Sequence, residues 1–175
     1  MTLKIESEIK TEEILVRCLL HPIWAKKGKM HYNALLPADG RRDVSLLRLL
    51  YTNLLFCKRH AKLIEIKNTK YWGLGAFQAK QIDNLNRKSE EIGITAQLVC
   101  SPLDADGNAL NKNEIYADTP GLPMHSDLLY DYPVERGQPS NPHRKYAREL
   151  LKVSQYKEDT LPDLDEWAEG DFNFS

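Results

Sequence analysis

The apolar residues of this chain come in short runs. "EILVRCLLH", "KYWGLGAF", "ITAQLVC" and "MHSDLLYDY" are seven to nine residues long, and Pro22, Pro102 and Pro133 close three of them. Runs of that length, bounded by turn-forming residues and rich in β-branched or aromatic side chains, read as strands. They fall far short of the roughly 20 residues needed to cross a bilayer. The N-terminal stretch "MTLKIESEIKTEE" has no apolar signal core behind its lysines, so a cytoplasmic location and no membrane partner are expected.

Helical periodicity appears between these runs. "TNLLFCKRHAKLIEI" has Thr52 or Asn53 placed to accept from the first free backbone amides. In "QAKQIDNLNRKSEEIG", Ile82, Leu85, Ser89 and Ile92 share one face and Gly93 supplies the stop. A last helix follows "RGQPSNP", with Asn141 as cap, Pro142 in the first turn, and His143, Tyr146, Ala147, Leu150 and Leu151 facing inward. "MHYNALLP" alternates with period two and predicts one arm of a hairpin, while "VSLLRLLY" fits either a strand or the start of a helix. The expected fold is a single α+β domain with a mixed or mainly antiparallel sheet of about six strands and about three helices.

Charge is distributed unevenly. The net charge is −1, yet residues 158–175 carry seven acids and no lysine or arginine, which leaves +6 on residues 1–157. The division predicts a compact basic body, 1–157, and an acidic aromatic C-terminal tail, 158–175. In the tail, Leu161, Leu164 and Trp167 follow helical spacing and Phe172 adds a further apolar anchor, a pattern suited to docking on a protein. In the body, Arg41, Arg42, Arg48, Lys58, Arg59, Arg144 and Lys145 recur in turns or near helix starts, which makes them the candidate contacts to phosphate or nucleic acid.

His125 and Asp127 stand two apart on an expected strand and so point to the same side. They are the candidate catalytic pair, with the aspartate orienting the imidazole, set against a polar pair at a strand end. Two ligands do not make a zinc site, and no other histidine stands at ligand spacing, so no metal is expected. Cys18, Cys57 and Cys100 are odd in number and widely spaced, which fits neither a disulfide framework nor a cysteine-rich metal site.

Two partial motifs fail on their own terms. Gly73-x-Gly75 lacks the third glycine of a dinucleotide fingerprint, since position 78 is Gln78, and close packing of a helix on the sheet explains the pair. "LDADGNALNKNEI" lacks the glycine and the terminal glutamate of a calcium loop and reads as a tight turn. No cofactor is expected.

Three functions fit this pattern. The first is a small binding or accessory subunit whose basic body takes a phosphate-bearing or nucleic-acid partner and whose tail docks a protein. The second is a histidine-dependent enzyme acting on a nucleotide or RNA through His125 and Asp127, with Arg48 or Arg144 on phosphate. The third is a purely structural subunit of a complex. Oligomeric state is left open by the sequence.

Overall fold

A computed structural model of the chain describes residues 2–175. Strands β1 (Ile14–His21), β2 (Ala25–Lys26), β3 (Lys29–Met30) and β4 (Asp43–Arg48) precede helix α1 (Leu54–Leu63). Then come β5 (Lys70–Gln78), α2 (Lys80–Asn86), α3 (Ser89–Ile92), β6 (Ala96–Cys100), β7 (His125–Tyr130), α4 (Asn141–Lys152) and β8 (Gln155–Glu158). Six strands form one sheet in the order β6-β7-β4-β1-β5-β8, antiparallel at every pairing. The α+β class and the six-stranded antiparallel sheet agree with the pattern of short apolar runs, and β2 and β3 form a separate two-stranded ladder.

Each face of the sheet carries its own core. Leu15, Leu19, Leu46, Phe77, Leu128 and Tyr130 pack with α2 and α4 on the first face. Val16, Cys18, Leu20, Leu47 and Leu74 pack with Leu54, Cys57 and Ala61 of α1 on the second. A strand buried on both sides reads as a nearly continuous apolar run, which is the character of β1. Its one charged interruption is Arg17.

Local structure departs from the sequence reading where side chains capture backbone groups. "MHYNALLP" gives only the two-residue ladder of β2 with β3, followed by a 3-10 turn over Tyr32–Leu35. Carbonyls of that turn are taken by the sheet: Arg17 Nε donates to Ala34 O at 2.8 Å, and Tyr130 Oη to Leu35 O at 2.7 Å. The expected helix over 78–93 is broken into α2 and α3. There Asn86 bonds both backbone groups of Ala96, donating to its carbonyl at 2.7 Å and accepting from its amide at 3.1 Å. "VSLLRLLY" divides into β4 and a 3-10 turn over Leu49–Tyr51. Asn53 caps α1 as expected, whereas Ser140, one residue before Asn141, caps α4.

One strand, β8, carries no apolar run. It lies so close to β5 that a Cβ on Gly73 would sit 2.3 Å from Lys157 O, and one on Gly75 would sit 2.5 Å from Met30 Sδ. The two glycines thus admit a strand and a methionine rather than a helix.

β1 and β4 pair only at Leu15 with Arg48 and at Val16 with Leu47. Beyond that point Arg17–His21 pairs with β5 alone and Asp43–Leu47 continues on β7. The sheet is parted there by a notch between its two central strands. Trp24, in the turn after β1, packs against both cores, as a side chain can where the sheet between them is open.

Candidate functional site

The notch encloses about 620 Å³, within the range of small-ligand sites, and its wall is mainly apolar. Leu20, Ile23 and Trp24 come from β1 and the turn after it, Leu36 from the connection before β4, and Ile64 and Leu122 from the second face. The polar residues that line it are Arg17, Asn33, Arg41, Asp43, Ser45, His60 and His125.

Arg17 forms the floor. It is 8% exposed and stacks over the Trp24 ring at 4.1 Å. Nε donates to Ala34 O and Nη1 to Ser45 O at 3.1 Å, so the guanidinium replaces the ladder bond that β1 would have made to β4. Nη2 makes no hydrogen bond with the described residues, and no carboxylate of those residues pairs with the group. Burial without a counter-charge pulls its pKa down to about 10. The other two charged side chains of the wall, Arg41 and Asp43, neutralise each other through a bidentate pair at 3.1 and 2.7 Å. One uncompensated positive charge is left.

The imidazoles sit beside it. His125, 7% exposed, has Nδ1 2.9 Å from the carbonyl of Ser101 and 3.0 Å from its hydroxyl; the carbonyl can only accept, so in the neutral ring the proton is assigned to Nδ1 and Nε2 is an acceptor. Asp127 lies on the same side of β7, but its Oδ1 is 4.0 Å from His125 Nε2, beyond hydrogen-bond reach. The orienting residue is therefore Ser101, through its carbonyl and hydroxyl, and not Asp127. His60, on α1, has its pKa lowered by burial and by the neighbouring His125.

The basic residues singled out from sequence are scattered. Arg48, fully buried, donates Nε and Nη2 to the two carboxylate oxygens of Glu13 at 2.8 and 2.7 Å and fastens residues 6–13 to the sheet through the carbonyls of Glu6 and Glu8. Lys58, 1% exposed, pairs with buried Asp159 at 2.8 Å and donates to the carbonyls of Leu161 and Glu166. Neither presents its charge to a partner. Arg59 is exposed and paired with Asp165, and Lys145 pairs with Glu91. Arg42 is exposed beside the notch residue Arg41, and Arg144 is half-buried in the first turn of α4. These groups form no single patch with the notch.

Residues 158–175 run over the second face. Glu158 ends β8 and Phe172 is 5% exposed in the second core, with Trp167 packed against it. Leu161 is half-buried, and Leu164, 51% exposed, is the one anchor of the four that faces solvent.

Among the described residues no helix is long and apolar enough to cross a membrane, and no group of three or more metal-ligating side chains is assembled. Compared with known proteins, the chain matches no family model, no curated protein and no solved structure. The site therefore stands on its own geometry. Sequence reasoning missed Arg17 and His60, although a lone arginine inside an otherwise apolar, doubly buried strand was a signal that the first could have given.

Proposed function

We propose that this is a binding protein for an organic anion, held in the notch between β1 and β4 with Arg17 as its anchor. The expectation of an accessory subunit with an anionic partner is kept, but its contact moves from a basic surface to one buried guanidinium. The observation that carries the reading is a buried arginine with a free Nη2 and no counter-charge among the described residues, at the floor of a mainly apolar cavity of about 620 Å³. A buried ion normally has a partner, because desolvating it alone costs several kcal/mol. A ligand that brings one negative charge and an apolar body supplies what the fold omits. Arg forks suit carboxylate and phosphate oxygens alike.

Calorimetric titration with acetate, benzoate and inorganic phosphate tests the proposal. Saturable binding is expected, tightest for benzoate, whose ring fills apolar space, and lost in Arg17→Met. Equal weak response of the native protein and the variant to all three would overturn it.

A second reading draws on His60 and His125, which share the notch with Arg17. With Nε2 of His125 free to accept a proton, the arrangement has the parts for acid–base chemistry on the bound anion. Turnover of a phosphodiester that disappears in both His60→Gln and His125→Gln would favour the enzyme. Binding without turnover leaves the accessory protein.

A further inference from the structure

Resting on that anion-binding reading, we infer that the occupant of the notch is the free carboxyl terminus of another polypeptide. In an antiparallel strand the N–H and C=O of one residue point to the same side. The carbonyl of Ser45 meets Arg17 from β1, so the Ser45 amide faces the notch too. The same alternation, counted two residues on from the Val16 pairing, turns the backbone of Cys18 toward the notch. Apart from the Ser45 carbonyl that Arg17 takes, the facing backbone groups of Cys18 and Ser45 thus make no ladder bond to each other, Ser45 standing at the notch and Cys18 at a void of about 20 Å³ that shares Arg17, Ser45, His60 and His125 with it. An unpaired strand edge is a template for an extended segment, which gains main-chain bonds there whatever its sequence.

The charge then selects which part of a polypeptide enters. The backbone of an internal segment brings no anion for Arg17, and a phosphate dianion brings a second charge that Arg41, paired with Asp43, is not free to meet. A terminal α-carboxylate brings one. It would take Nη2 of Arg17 at the point where the β1–β4 ladder stops, while its last side chain lies among Leu20, Ile64 and Leu122. At the mouth, Ile23 and Ile66 are 45% and 63% exposed, an apolar rim that residues preceding the terminus would cover. The chain's own end is not the occupant, because Phe172 is buried in the second core and the carbonyl of Asn173 is bonded to Gln155.

The test compares two pools of short randomised synthetic peptides ending in leucine, one with a free carboxylate and one amidated, against acetate and benzoate. Fluorescence anisotropy should show the free-acid pool binding about tenfold or more above the amidated pool, as a charge-assisted hydrogen bond implies. Arg17→Met should abolish that difference, and Arg17→Lys should retain part of it. If Arg17→Met does not fold, amide NMR shifts decide on the native protein: Cys18 and Ser45 should move with the free-acid pool and not with acetate. Equal binding of the two pools, or unmoved Cys18 and Ser45 amides, would overturn the inference. Benzoate binding through Arg17 with no response to either pool would also overturn it while leaving the anion site standing, and silence of every probe would remove both.

Discussion

Arg17 and Arg48 are both buried in the central sheet, and only Arg48 has a carboxylate. Removing one partner of a buried pair strands the other, so Arg48→Met should destabilise the fold by about 3–5 kcal/mol through the orphaned Glu13. Arg17→Met strands no charge, only two carbonyls, and should cost about 1–3 kcal/mol. Urea unfolding of the two variants checks the order, and a larger loss at Arg17 would contradict the claim that it has no counter-ion. His60 gives a pH signature. Its folded pKa is depressed below the ordinary value of 6.5, so the unfolded chain takes up the proton first. Stability should therefore be full above about pH 6.5 and decline as pH falls from there toward the folded pKa. The difference in midpoint between the native protein and His60→Gln, measured across that interval, should shrink or change sign at low pH in favour of the variant. A constant difference would refute the assignment.

At the scale of elements, Gly73 shows how tightly the sheet edge is built. A methyl group there meets the Lys157 carbonyl at 2.3 Å, so Gly73→Ala should push β8 off β5 and raise amide exchange at Gln155–Glu158, while exchange in β1 stays slow. Unchanged protection of β8 would show that the edge yields at little cost. The strands that sequence revealed were those whose apolar residues face a core: β1, β5, β6 and β7. β8 was not legible, because its "QYKE" holds position through backbone pairing and through space left by a glycine on another strand. The break between α2 and α3 follows from Asn86 meeting Ala96 ten residues on, a contact with no local signature. Of the site, the His125–Asp127 spacing was legible and their shared side of β7 followed from it. The notch was not, since a parting of two strands leaves no mark in either one's composition, and Arg17 reads as one cation among many until its partners are known.

At the scale of the whole molecule, the acidic C-terminal segment bears on stability through Lys58. That ammonium is buried against Asp159 and the carbonyls of Leu161 and Glu166. A chain ending at Lys157 would remove every one of these partners and uncover the core contact of Phe172, so the shortened protein should lose cooperative unfolding or several kcal/mol of stability. Lys58→Met in the full chain should cost about 3–5 kcal/mol by stranding Asp159, and adding Asp159→Leu should restore most of it. A shortened chain as stable as the full one would show that the segment is not part of the folded body. The segment covers the outer side of α1, where Arg59 and Lys62 also hold it, and leaves the notch on the other side of His60 open to a ligand. The central claim is that Arg17 waits there for an anion. Its most direct measurement is the Arg17 Nε–H resonance of isotopically labelled protein during titration with benzoate. The account predicts a saturable shift shared by the Ser45 amide and by the Trp24 indole, with Arg59 and Arg144 unmoved. A shift that grows linearly without saturating, or one spread evenly over the exposed arginines, would contradict it.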